Sequence, residues 1–157
     1  MNPAIDVGQI EGAYVQGFGW CMMEETVWGC DEHRWLKPGT CFTRGPGAYK
    51  IPTANDIPID FRVTLLDDAP NPQAIHSSKA VGEPPLFLAA SAFFAAKAAI
   101  AAAREDNLGH IEGAKPFPVD SPLTAERIRL ACSDDIAQKC VEAVVKAGGA
   151  SRPALFC

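Results

Sequence analysis

The most informative stretch of the chain is residues 77–104, SSKAVGEPPLFLAASAFFAAKAAIAAAR. Residues 86–104 contain ten alanines and neither glycine nor proline, a composition that strongly favours an α-helix. At a rise of about 1.5 Å per residue this helix would be about 28 Å long, close to the thickness of a bilayer. Lys97 would oppose insertion by about 2.5 to 3.5 kcal/mol, so the sequence predicts a buried core helix rather than a membrane span.

The loop before this helix places an acidic residue next to two prolines. Because a residue that precedes proline disfavours the α region, we expect Glu83 and Pro84 to be extended and the helix to begin at about Pro85. The helix dipole favours an ionised Glu83, whereas burial against the helix opposes ionisation. The two prolines lack N–H groups, which makes the loop a poor phosphate site. Two interpretations remain open: Glu83 is a charge that complements the dipole, or it is a general base.

A second helix is predicted over residues 5–23, where apolar side chains recur at helical spacing. These are Val7, Ile10, Tyr14, Phe18 and Cys21. Glycines at 8, 12, 17 and 19 each cost up to about 1 kcal/mol inside a helix, which indicates that a ligand or another helix approaches the backbone. Gln9 and Gln16 share one face, where they can bind a polar ligand or face water.

The remaining elements are shorter. Residues 28–58 are rich in glycine and proline and are predicted to be irregular. Residues 59–66, IDFRVTLL, predict a strand, and a second short strand is predicted around 74–76. A helix is predicted within TAERIRLACS (124–133), capped by Ser121 or Thr124, followed by another over 136–147 and a loose tail over 150–157. The predicted fold class is α+β.

Composition excludes several classes of protein. The chain has 157 residues, 48% of them hydrophobic and 21% charged, which is enough for one compact core. A net charge of −5 argues against nucleic acid as a partner. The six cysteines follow no recognisable leader and form no CxxC pair, so we expect reduced thiols in a cytoplasmic protein and no metal ligands in this chain. The common nucleophile, phosphate-loop, zinc and dinucleotide signatures are also absent.

Four strings resemble the carboxy-terminal end of xanthine dehydrogenases, a molybdenum hydroxylase family. They are NPAIDVGQIEGAYVQGFG (2–19), TRGPGAYKIP (43–52), DIPIDFRVTLL (56–66) and SSKAVGEPPLFLAASAFFAAKAAI (77–100). The resemblance covers most of residues 2–133 and is weak over 21–42 and 134–157. It implies that residues 1–157 are the C-terminal segment of a molybdopterin-binding domain, with a glycine-rich N-terminal helix, short strands and a long Ala-rich helix.

The resemblance also implies a reaction and its cofactors. Enzymes of this family oxidise hypoxanthine and xanthine to urate at a molybdenum-molybdopterin centre. Electrons then pass through 2Fe-2S clusters to FAD and NAD, which other parts of a longer, homodimeric chain would bind. By this likeness the substrate is a purine, the main partner is the rest of the enzyme chain, and the 157 residues alone are expected to catalyse nothing.

Particular residues receive roles from the same resemblance. Glu83 corresponds to the base that accepts a proton at the molybdenum centre, and Gln9 to a glutamine that hydrogen-bonds the pterin. Gly82 would let the chain pass close to the centre, and Val81 would keep the surroundings small and dry. Lys79 is a further expected cofactor contact.

Three alternatives are kept. The first is a segment of the related aldehyde oxidases, which the chain resembles less closely than it resembles the xanthine dehydrogenases. The chain can instead be a non-catalytic interaction module, in which an apolar face of residues 86–104 drives association with another protein. A membrane-attached fragment would use the same helix, although neither a membrane nor nucleic acid is the expected partner.

Overall fold

The computed structural model describes residues 2–31 and 33–147 and is mostly helical there. The α-helices are α1 (Pro3–Met22), α2 (Ala90–Leu108), α3 (His110–Gly113), α4 (Ala125–Ala131) and α5 (Asp135–Lys146). Short 3-10 helices lie at Ala54–Asp56, Ile75–Ser77 and Pro84–Ala89. The predicted loose tail over 150–157 lies outside the described residues.

Both predicted strands are wrong. Residues 59–66 are irregular, and a 3-10 turn occupies Ile75–Ser77 where a strand was expected. Strand pairing within the described residues is limited to one antiparallel bridge between Trp28 and Cys41. A strand needs a neighbour for its N–H and C=O groups, and the described chain provides none beside residues 59–66. The α+β prediction is therefore corrected to a mostly helical arrangement.

Helix α1 lies where residues 5–23 predict a helix. Asn2 caps it by accepting a hydrogen bond from the Ala4 N–H at 3.1 Å, and Pro3 occupies the first helical position. At the other end, the Ser121 hydroxyl donates to the carbonyl of Trp20 at 3.0 Å, and the Leu123 N–H donates to that of Cys21 at 2.7 Å. Residues that are distant in the sequence thus donate hydrogen bonds to carbonyls that have no partner within the end of the helix.

The start of the Ala-rich helix differs from the expectation. Glu83 has φ −95° and ψ −34°, which is helical rather than extended, and a 3-10 helix begins at Pro84. The physical reason is the hydrogen bond from the Leu86 N–H to the Glu83 carbonyl at 3.0 Å, which closes a turn despite the preference of a residue that precedes proline. From Ala90 the same chain continues as α2 and ends before Gly109, whose φ is 82°.

The expected burial of the Ala-rich helix does not occur within this chain. Residues Pro84–Leu108 are long and apolar enough to cross a membrane by length and composition, and their most apolar 18-residue window has a mean hydropathy of 1.9. Only 11% of the most apolar window is buried. Ala89 and Ile100 are its buried residues, whereas Phe87 is 86% exposed and Phe94 is 63% exposed. This helix therefore presents apolar surface that the described residues leave uncovered.

Contacts on two sides join the Ala-rich helix to its neighbours. Arg104 of α2 donates to the Ala131 carbonyl at 3.0 Å and to the Ser133 hydroxyl at 2.7 Å, which ties α2 to the junction of α4 and α5. On the other side, a Cβ atom added to Gly17 of α1 would lie 2.4 Å from the carbonyl oxygen of Leu86. Glycine at position 17 thus permits a close contact between the two helices. Of the two explanations for the glycines of α1, a ligand or another helix close to the backbone, the second therefore holds for Gly17.

The two C-terminal helices begin at capping residues. The Thr124 hydroxyl accepts a hydrogen bond from the Arg127 N–H at 3.4 Å, so Thr124 rather than Ser121 caps α4. Asp134 caps α5 by accepting from the Ala137 N–H at 2.9 Å. These short helices lie where the sequence predicts them because their signals are local.

The cysteines do not all follow the expectation of reduced thiols. The free thiols among the described residues are Cys21, Cys41, Cys132 and Cys140. Cys30 is disulfide-bonded, so the expectation is wrong for that residue.

Candidate functional site

Glu83 lines an apolar cleft between α1 and the start of the Ala-rich helix. The cleft has a volume of about 740 Å³. Its lining residues are Gly17, Trp20, Cys21, Ala80, Glu83, Pro84, Leu86, Phe87 and Ala90. Glu83 is the one charged side chain among these described lining residues, so any polar group that enters the cleft meets its carboxylate.

The Glu83 carboxylate has no partner among the residues that the structure describes. It forms no hydrogen bond or ion pair with any other residue in the described part of the chain, and it makes no cap bond to the helix that follows it. The side chain is exposed at the rim of the cleft. Such a carboxylate is available to accept a proton, and the same arrangement is compatible with a charge that complements the helix dipole.

The structure brings Gln9 and Gly82 together. The Oε1 atom of Gln9 lies 3.4 Å from the position that a Cβ on Gly82 would occupy. Gln9 is exposed, and its amide offers two N–H donors and a carbonyl acceptor. Gly82 directly precedes Glu83. Gln9, which is predicted to contact a cofactor, and Glu83, which is predicted to accept a proton, therefore lie in one small region.

The other predicted residues lie in the same loop with different surroundings. Val81 is half-buried, next to Gly82. The Lys79 ammonium donates a hydrogen bond to the carbonyl of Ala69. One of its donors is therefore used within the chain, and its contact with a cofactor stays a prediction.

The face of α1 beside Gln9 is open. A Cβ added to Gly8 or Gly12 would meet no atom within 4 Å, in contrast to Gly17. Both glycines line a shallow groove of about 380 Å³, together with Ile57 and Phe61 from the irregular chain. Nothing in the described residues therefore explains these two glycines by packing.

Sequence reasoning missed the α1 side of the cleft. Gly17, Trp20 and Cys21 are spaced three and four residues apart, so they share a helix face, and this spacing was the available signal. Burial raises the pKa of the Cys21 thiol, which therefore stays uncharged near neutral pH. The cleft wall opposite Glu83 is consequently neutral.

A second, more polar cleft of about 580 Å³ was also missed. Glu24, Glu25, Arg44 and Tyr49 are among its lining residues. Burial raises the pKa of Glu24, and Glu25 pairs with the buried Arg127 at 2.6 Å. Within residues 2–31 and 33–147, no group of three or more His, Cys, Asp or Glu side chains could hold a metal ion.

Comparison with known proteins gives this site a context. Residues 1–58, which include Gln9, match the family model of the molybdopterin cofactor-binding domain. The chain is 58% identical over 139 residues, 88% of its length, to a xanthine dehydrogenase of Oryza sativa subsp. japonica. It is 59% identical over 135 residues, 86% of its length, to xanthine dehydrogenase 1 of Arabidopsis thaliana. It is 57% identical over 143 residues, 91% of its length, to a xanthine dehydrogenase/oxidase of Gallus gallus.

The chain spans about 10% of the length of each of these relatives. The similarity therefore covers nearly all of this chain and a small part of theirs. The resemblance carried by the four sequence strings is confirmed: this chain is homologous to a segment of the xanthine dehydrogenases.

Proposed function

We propose that this chain is the part of a xanthine dehydrogenase-type molybdenum hydroxylase that supplies the proton acceptor and one wall of the cofactor site. The observation that carries the proposal is the Glu83 carboxylate, which lines an apolar cleft without a hydrogen bond or ion pair to any described residue. The adjacent Gly82 lies against Gln9, within the stretch that matches a molybdopterin cofactor-binding domain. A carboxylate without a partner among the described residues can act as a general base when a proton donor comes within hydrogen-bond reach.

The residues around Gln9 fit a pterin cofactor. The exposed Gln9 amide can both donate to and accept from a hydrogen-bonding heterocycle, and the open surface over Gly8 leaves room for a flat ring. Gly82 and Val81 would hold the edge of the pterin that lies near Gln9, and Lys79 is a further candidate contact with the cofactor. The bound molybdenum cofactor would supply the two-electron oxidation of the substrate.

Glu83 would accept the proton that the oxygen nucleophile loses as it attacks an electron-poor purine carbon. Leu86 and Phe87 would place apolar side chains beside the carboxylate in the cleft. On this proposal hypoxanthine and xanthine are the substrates, and 2Fe-2S clusters, FAD and NAD are bound by the rest of a longer, cytoplasmic, homodimeric enzyme. An aldehyde substrate remains the alternative within the same chemistry.

The test is a Glu83→Gln variant of a full-length enzyme that contains this segment. We expect an unchanged molybdenum content and a loss of purine turnover of roughly 10² to 10⁴-fold, because the amide keeps the shape but cannot accept the proton. Glu126→Gln is the matched control, since Glu126 is another exposed glutamate near a helix start, in α4. Turnover within a few-fold of the unmodified enzyme would remove Glu83 from the mechanism.

A second candidate function is attachment to another polypeptide through apolar surface. Phe87, Leu88 and Phe94 are 86%, 58% and 63% exposed along the Ala-rich helix. Large uncovered apolar patches usually mark interaction sites. Concentration-dependent sedimentation of the 157-residue chain without bound molybdenum would favour this function, and flotation with lipid vesicles would indicate membrane attachment instead.

A further inference from the structure

We infer that residues 59–66, IDFRVTLL, form an interaction surface that pairs, through its backbone, with an uncharged β-strand from another part of a longer enzyme chain. The inference rests on the proposal that this chain is a segment of such an enzyme, and it does not depend on the role of Glu83. It concerns the main chain of residues 59–66, whose polar groups have no partners among the described residues.

The backbone of residues 59–66 is unpaired in the described part of the chain. None of its N–H or carbonyl groups is hydrogen-bonded to another residue that the structure describes. The Arg62 side chain does not supply a partner either, because its Nε atom donates to the Asp60 carboxylate at 2.7 Å. A neighbouring strand satisfies such groups in a regular ladder. Residues 59–66 therefore offer a row of donors and acceptors to an added strand.

Helix α1 covers one side-chain face of this segment. Phe61 packs edge-on against Tyr14 of α1, with the two ring centroids 5.2 Å apart. From Phe61 onward burial alternates: Phe61 and Val63 are half-buried, whereas Arg62 and Thr64 are exposed. A period of two residues is the pattern of an extended chain with one covered face. The segment thus has the side-chain arrangement of a strand and lacks only a neighbour along its backbone.

The side chains of the segment indicate the chemistry of the partner strand. Ile59 is fully exposed and Leu66 is 86% exposed, at the two ends of the segment. Asp60 and Arg62 form an ion pair with each other, so the segment presents no net charge. Apolar and β-branched side chains pair favourably across neighbouring strands. The partner is therefore expected to be an uncharged strand with apolar side chains opposite Ile59 and Leu66.

The partner strand is assigned to the rest of the parent polypeptide. Strand pairing within the described residues is limited to the bridge between Trp28 and Cys41, which lies outside residues 59–66. The chain spans about 10% of the length of its xanthine dehydrogenase relatives, so most of such a polypeptide lies outside it. A strand on the same polypeptide also has a high effective concentration, which favours it over a second copy of this segment.

The first test is hydrogen–deuterium exchange followed by mass spectrometry. It compares the amides of residues 59–66 in the 157-residue chain with the same amides in a full-length enzyme that contains this chain. We expect fast exchange in the chain alone and exchange slower by about 100-fold or more in the enzyme, because paired N–H groups are protected. Fast exchange in the enzyme would overturn the inference. Protection in the isolated chain that grows with its concentration would assign the pairing to a second copy and would also overturn it.

The second test separates backbone pairing from burial of side chains. Val63→Pro and Thr64→Pro each remove one N–H group, and the N–H groups of successive residues point to opposite edges of a strand. In the full-length enzyme we expect at least one of the two variants to lose protection over residues 59–66 by about tenfold or more. Val63→Ile and Thr64→Val are the matched controls, since they keep both the N–H and a β-branched side chain, and protection should persist in them.

Protection that survives both proline substitutions would overturn the inference, and so would an equal loss in the two control variants. The first test needs no substitution, so it decides the matter where a proline variant does not fold. The proposed function can fail independently. If Glu83→Gln keeps full turnover while residues 59–66 stay protected in the enzyme, the catalytic role of Glu83 fails and the strand pairing stands.

Discussion

Gly17 of α1 packs directly on the carbonyl oxygen of Leu86, so closely that an added Cβ atom would lie 2.4 Å from it. The same Cβ would lie 2.8 Å from the Cβ of Ala89. This contact joins the helix that carries Gln9 to the helix that begins after Glu83. The relative position of the two candidate functional residues therefore depends on the absence of a side chain at position 17.

Gly17→Ala should destabilise the 157-residue chain by about 1 to 3 kcal/mol, because the methyl group overlaps backbone that cannot move without separating the helices. Urea denaturation followed by circular dichroism measures the change. Gly12→Ala is the control, since a Cβ there meets no atom within 4 Å and alanine is the better helix former. Equal effects of the two substitutions would show that the Gly17 contact does not govern stability.

Gln9→Ala should lower the cofactor occupancy of a full-length enzyme that contains this segment, because the amide that fits the pterin is lost. Metal analysis of the purified enzyme measures molybdenum per chain. Gln16→Ala provides the comparison, since Gln16 is also exposed on α1 but lies two turns further along. Full molybdenum loading in Gln9→Ala would argue against a pterin contact.

Arg127→Met should cost about 2 to 3 kcal/mol of folding stability. The guanidinium is buried, pairs with Glu25 at 2.6 Å and donates to the Pro122 carbonyl at 2.7 Å, so its loss leaves polar groups without their partner. Arg62→Met removes the exposed ion pair with Asp60 and should change stability by less than about 1 kcal/mol. Thermal and urea unfolding measure the loss of stability in both variants. Equal losses in Arg127→Met and Arg62→Met would contradict the prediction.

Acid should loosen α5 through Asp134. Hydrogen bonding to the Ala137 N–H lowers the pKa of Asp134 in the folded chain from its usual value of 3.8. A carboxyl group with a lowered folded pKa contributes stability above its unfolded pKa, and this contribution is lost as the pH falls through the folded value. Asp134→Asn should therefore unfold with a weaker dependence on pH below about 4 than the unmodified chain. Parallel pH profiles for the two proteins would contradict this.

Helices could be predicted from the sequence because their signals lie within a few residues. The apolar spacing of α1, the alanines of α2 and the caps of α4 and α5 act locally, and a helix lies in each of the four expected segments, although α2 begins only at Ala90. The segment 59–66 has an equally clear local pattern, but a strand needs a second strand beside it, and the described residues do not provide one. Its prediction failed for that reason.

The sequence by itself determined the helices and the chemistry available at Gln9 and Glu83, including the two prolines that follow the glutamate, because residue type and local propensity are properties of short stretches. Only the tertiary structure decided that Gly17 touches Leu86 and that Gln9 lies beside Gly82. These contacts join distant parts of the chain, and their formation depends on how whole helices pack rather than on any local signal.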